Sequence, residues 1–204
     1  MAENSARGDE SAMSGEAAVR RVRADAQRNI DTLLKAALEV FAASGVDAPV
    51  REIAERAGVG VGTIYRHFPQ RSDLIIAVFR KEVDACADAA PALAAEFGPG
   101  EALSQWLQRF TDFIAAKSGL AAALRSGDPA YETLPAYFEG RFRPTLQALL
   151  DAAGAAGEIR ADMEPIALLR AAANLTTPAS PEQGRRMVAL LVDGLRYGAT
   201  AAAG

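Results

Sequence analysis

Residues 50–68 read VREIAERAGVGVGTIYRHF. Val50, Ile53, Ala54 and Ala57 fall at helical spacing and give a first short helix one apolar face. Gly58 follows, where a left-handed residue ends a helix most easily. Val59 is apolar and suited to packing under the turn. A second helix starts near Gly60 or Val61, with Val61, Ile64 and Phe68 as its buried side. Gly62, Thr63, Tyr65, Arg66 and His67 are left pointing elsewhere. A glycine, a hydroxyl, a phenol, a guanidinium and an imidazole make a poor core. They suit a helix lying in a DNA major groove, where donors, acceptors and small residues meet base edges and phosphates.

Working outward, the words ALEVFAASG (37–45), VREIAERAGV (50–59) and GTIYRHFPQRSDL (62–74) stand in order. The run from Asp31 to Leu74 thereby resembles the DNA-binding domain of the TetR family of transcriptional regulators. One departure concerns Gly60, which stands where such proteins often carry serine, so the cap of the recognition helix is weaker. The resemblance implies a homodimer on a palindromic operator and a small-molecule effector site in the helical body. It further implies a swing of the DNA-binding ends on effector binding, with repression the usual outcome. Outside this segment the match rests on length and all-helical character. The candidate DNA contacts are Arg51, Val61, Gly62, Thr63, Tyr65, Arg66, His67 and Arg71, together with a basic cluster at Arg20, Arg21 and Arg23. That cluster fits two readings equally: a solvated charge run, or an arm touching phosphates or entering a minor groove.

Composition sets the outer bounds. A chain of 204 residues with 50% hydrophobic content has enough apolar side chains for a sizeable core. Abundant alanine and sparse β-branched residues favour helix. The predicted class is therefore all-α: a tail over 1–18, a helix-turn-helix domain over 19–70 and a regulatory and dimerisation body over 71–204. The tail is read as disordered from its small, polar, glycine-containing composition. The net charge of −4 does not suggest a nucleic-acid binder, but its distribution is lopsided. Residues 19–81 carry 11 Arg and Lys against 7 Asp and Glu, whereas residues 82–204 carry 10 against 15. A basic module on an acidic body fits a protein that presents one end to DNA. No apolar run reaches the ~20 residues of a membrane span. The acidic start lacks an apolar signal sequence, so a cytoplasmic location is expected.

Helical patterns continue along the chain. Helix one is predicted over about Ala24–Ser44, with Ile30, Leu33, Leu34, Ala37, Leu38 and Phe41 as its stripe. Pro49 suits the first turn of the next helix, and Gln70 or Ser72 suits the cap of a helix running to about Ala89, stopped by Pro91. Further helices are expected over Gly100–Lys117, Leu120–Leu124, a long span to Gly154, a span capped by Asp162, and Pro181–Tyr197. Trp106, Phe110, Phe113, Tyr131, Tyr137 and Phe138 could line an effector pocket or simply fill the core. In the last helix Met187, Leu190, Leu191, Gly194, Leu195 and Gly198 recur at spacings of three and four. With Ile166, Leu169, Arg170 and Ala173 of the preceding helix they suggest a four-helix contact between two chains. The alternative is that this face packs on the chain's own core.

Enzymatic chemistry finds little support. The single histidine, His67, lies in the recognition helix rather than a pocket. Gly58, Gly60 and Gly62 lack the preceding strand and following lysine of a phosphate-binding loop. Glu132 with Glu139, or Asp162 with Glu164, read as solvated helix faces. The single cysteine, Cys86, excludes an internal disulfide and a cysteine zinc cluster. No cofactor or metal is expected. Two non-enzymatic readings remain: a ligand-responsive regulator, and a dimeric helical DNA-binding module without small-molecule input.

Overall fold

The structure is a computed structural model that describes residues 6–160, 162–176 and 180–197, with side chains from Asp25 onward. Among the described residues it is all helical. The α-helices are α1 (Ala6–Ser44), α2 (Val50–Ala57), α3 (Val61–His67), α4 (Arg71–Ala87), α5 (Ala90–Glu96), α6 (Pro99–Ala116), α7 (Ala121–Leu124), α8 (Leu134–Ala155), α9 (Pro165–Leu175) and α10 (Pro181–Arg196). Short 3-10 turns at Lys117–Leu120 and Pro129–Tyr131 flank α7.

Four boundaries differ from the sequence reading. The tail expected to be disordered over 1–18 is helical from Ala6, as part of α1. Alanine, arginine, glutamate and methionine dominate Ala6–Arg23, and their propensity outweighs the two glycines. Pro49 is the N-cap of α2 rather than a residue of its first turn. The helix expected to reach Ala89 ends at Ala87, and Pro91 opens α5 from within its first turn. Proline is accepted there because its missing N–H has no intrahelical partner to lose. Glu164, not Asp162, caps α9: its carboxylate accepts from the Ala167 N–H at 2.7 Å. A residue before proline is pushed to extended backbone, so Pro165 holds Glu164 outside the helix, at ψ 128°. Asp162 instead pairs with Arg160 at 2.6 Å.

A single apolar core runs from Leu33 in α1 to Leu195 in α10. α4, α6 and α8 pack on one another in the body. α10 lies on α6 and α9, while α1 packs on α2, on α4 and on the turn that follows α6. Polar contacts tie α4 to α8: the Tyr137 hydroxyl donates to Asp84 at 2.7 Å, and Arg141 Nε donates to the same carboxylate at 2.7 Å. The Trp106 indole N–H is buried and satisfied by the Cys86 carbonyl at 2.9 Å. None of the helices among the described residues is long and apolar enough to cross a membrane.

Candidate nucleic-acid interface

The direction of α3 is set by the turn before it. Gly58 adopts φ 69°, ψ 30°, and the Val59 N–H reaches back to the Ala54 carbonyl at 3.0 Å. This is the left-handed termination that glycine permits without steric cost. Gly60 then caps α3 without a side-chain hydrogen bond, as its lack of a hydroxyl dictates. Ile64 is the anchor, fully buried. Val61 and Phe68 are half-buried against the same core.

With those residues inward, Gly62, Tyr65, Arg66 and His67 are exposed. Tyr65 is 52% exposed, one of few large apolar-bodied side chains left open in the described molecule. Thr63 is half-buried, and its Oγ1 lies 3.4 Å from an Arg66 guanidinium nitrogen. Arg66 Nε also donates to the Gly62 carbonyl at 3.2 Å, so its charge is held along α3 itself. Arg51 is exposed on α2, paired with Glu55 one turn on at 2.9 Å. An exposed pair of this kind exchanges readily for a phosphate.

Two candidate contacts are placed differently. Val61 packs sideways on the core, because it shares the buried stripe of α3 with Ile64. Arg71 turns inward: its guanidinium donates to the Val46 carbonyl and, at 2.8 Å, to the Ala48 carbonyl. Those carbonyls belong to the connection between α1 and α2 and have no helical partner, so Arg71 locks that connection to the start of α4. Arg56 with Glu39 (2.7 Å) and Lys81 with Asp31 (2.9 Å) fasten α2 and α4 to α1. Arg20, Arg21 and Arg23 stand in α1, but their side chains lie outside the described residues.

The aromatic set of the body divides. Trp106 and Phe110 are fully buried and stack at 5.9 Å, and Phe142 meets the Phe110 ring edge-on at 5.4 Å. These two are core rather than pocket wall, because facing aromatic rings from α6 and α8 close the space between them. Tyr137 is occupied by Asp84 and by the Arg80 guanidinium, 4.9 Å from its ring centroid. Tyr131 and Phe138 do line a cavity of about 200 Å³, shared with Phe79, Leu134 and Lys117. Phe113 borders a second, more polar cavity of about 250 Å³ with Glu82, Arg109 and Asp112. Lys117 was not legible as a site residue. The available signal was its position four residues after Phe113 on the end of α6, which brings ammonium and ring together.

The proposed partner surface divides too. Ile166, Leu169 and Leu195 are buried in the chain's own core, in line with Val188 and Val192. α10 carries two adjacent apolar stripes, and the sequence spacing merged them. Gly184, Val188, Val192 and Leu195 face inward; Met187, Leu190, Leu191 and Gly194 form the outer stripe. Leu190 is 62% exposed, Met187 36%, and Leu191 is half-buried. A Cβ built on Gly194 would meet nothing within 4 Å. Arg170 is exposed and Ala173 half-buried on the neighbouring α9, while Gly198 lies outside the described residues.

The chain matches the family described as bacterial regulatory proteins, tetR family, over residues 33–78. It matches the C-terminal domain described as transcriptional regulator SbtR-like over residues 98–197. It is 43% identical to a TetR transcriptional regulator of Streptomyces coelicolor, with 81% of this chain and 97% of that one covered at a TM-score of 0.69. A TetR transcription regulatory protein of Mycobacterium vanbaalenii is 40% identical over 86% of this chain and 99% of that one, at a TM-score of 0.71. An HTH-type transcriptional regulator of Staphylococcus aureus is 36% identical over 64 residues, which span 35% of its length. An all-α chain with an outward-facing recognition helix, similar over almost the whole length of two such regulators, belongs to the TetR family of DNA-binding transcriptional regulators and is not an enzyme.

Proposed function

We propose that this chain is a cytoplasmic repressor that binds a palindromic operator as a homodimer and is released by a small-molecule effector. A DNA-binding domain over residues 19–70 and a regulatory body over 71–204 divide the work. The observation that carries the DNA half is the exposure of Gly62, Tyr65, Arg66 and His67 on one side of α3, opposite the buried Ile64. A seven-residue helix reaches few base pairs, so a second copy is needed for specificity. The outer stripe of α10 supports that second copy: solvent-facing Met187 and Leu190 beside an open Gly194 invite close approach of a partner helix. In the dimer the two recognition helices stand about 34–36 Å apart, one turn of DNA. The cavity at Tyr131 and Phe138 supports an effector input over the input-free alternative.

The test is selection of bound sequences from a random DNA pool, followed by footprinting. Inverted half-sites protected by a dimer are the expected result. A single unrepeated half-site bound by a monomer removes the reading. Transcription from a promoter carrying the selected site, measured with and without the protein, separates repression from activation.

A further inference from the structure

We infer that the cavity between α4, α8 and the turn after α6 takes a small apolar carboxylate, with Lys117 as its counter-charge. This rests on the effector reading above and names the ligand class.

Four walls of the cavity are hydrocarbon or ring: Phe79, Leu124, Leu134 and Phe138. Into this setting the start of the 3-10 turn delivers one cation. Lys117 Nζ lies 5.3 Å from the ring centroids of both Phe113 and Phe138. Ring faces attract an ammonium but accept none of its three N–H groups in the ordinary sense. Among the described residues no carboxylate pairs with Lys117 and no protein group accepts from its ammonium, which reaches solvent at the half-buried edge of the cavity. Three arginines of the body are ion-paired instead: Arg141 with Asp84 and Asp88, Arg143 with Glu139 and Glu164, Arg185 with Asp112. Burial pushes the half-buried Lys117 ammonium below its usual value.

The complement of that environment is one negative charge on an apolar body. A neutral ligand leaves the ammonium uncompensated, and a cation is repelled. A phosphate dianion calls for several donors and an arginine fork, neither of which the cavity offers. A volume of about 200 Å³ is below the ~300–1,000 Å³ of sites for drug-sized ligands, so the acid is small.

The position also gives the ligand something to act on. Two residues past Lys117, Gly119 rests directly on the α1 backbone: a Cβ there would sit 2.6 Å from the Phe41 carbonyl carbon and 2.8 Å from Ala42 Cα. The turn that carries the counter-charge is thus the turn that touches the DNA-binding domain.

Calorimetric titration of the full chain with octanoate and with its neutral isostere octanamide tests the inference. Octanoate is expected to bind at least tenfold tighter. Lys117→Met should erase that ratio and Lys117→Arg should keep it, with thermal melting confirming that each variant is folded. Equal affinity of the two probes for the wild type, no heat from either, or an undiminished ratio in a folded Lys117→Met overturns the proposal. The wild-type comparison stands by itself should Lys117→Met not fold. A separate arm measures octanoate's effect on binding to the selected DNA. Octanoate that binds with the expected preference yet leaves DNA affinity unchanged supports the ligand class and removes the effector reading.

Discussion

Gly119 and Phe41 meet backbone to backbone: the glycine Cα side of the turn after α6 lies against the carbonyl of Phe41 in α1. No flexible side chain separates them, so a methyl group has nothing to displace except main chain. Gly119→Ala is expected to force the body and the DNA-binding domain apart. The melting temperature should fall by several degrees, since one overpacked group costs about 1–3 kcal/mol. DNA affinity should change with it. An unchanged melt and unchanged DNA binding would show that the contact is slack.

Tyr65 is 52% exposed on α3, next to the buried anchor Ile64. Tyr65→Ala should weaken binding to the selected operator by about 1–3 kcal/mol, the range for a lost base or backbone contact. Folding should be untouched. An electrophoretic shift titration at fixed salt, beside a thermal melt, measures both; equal affinity of mutant and wild type assigns the reading face elsewhere.

Leu190 presents the widest apolar surface of α10 to solvent. Leu190→Arg places a charge where a partner helix would pack, and an uncompensated buried charge is strongly unfavourable. Light scattering should show a dimer for the wild type and a folded monomer for the variant. A variant that stays dimeric moves the interface off this stripe.

Phe110 is closed in by Trp106, Phe113, Phe138 and Phe142. Truncation to alanine should cost about 3–5 kcal/mol, the range for emptying a buried aromatic site. Chemical denaturation reads this directly. A loss under about 1 kcal/mol would mean that the site collapses or is already loose.

Cys86 is buried, and burial pushes its thiol up to about 12, against a lowering by Arg109. The thiolate is the nucleophile, so at pH 8 almost none is present in the folded chain. Iodoacetamide should label Cys86 slowly in the native protein and quickly in denaturant. Raising the pH from 8 toward 10 should speed native labelling by a larger factor than that of a free thiol, whose ionisation, centred at about 8.5, is almost complete by then. Equal native and denatured rates at pH 8 would show the thiol to be open and ionised.

Much of the DNA-reading end was legible from the chain alone, because it is built from short-range rules. Gly58 ends α2 through its own left-handed backbone, and the three- and four-residue spacing of Val61, Ile64 and Phe68 decides which side of α3 is free. Both effects act within one or two helical turns. The inward turn of Arg71 was not visible, since its acceptors lie 25 and 23 residues away. The same limit holds in the body. Helical spacing marked Trp106, Phe110, Phe113 and Phe138 as one apolar class, but the crossing of α6 and α8 decided which are core and which border a cavity. Spacing also joined Leu195 to Leu190, although packing of α10 on the body buries the first and leaves the second in solvent. Lys117 makes the distinction sharpest. In the sequence it is a lysine at a helix end. Its character as a lone cation in an apolar hollow comes from rings and leucines on α4, α7 and α8, brought around it by packing. Local conformation is settled by neighbours in the chain; burial, charge compensation and partner surface are settled by neighbours in space.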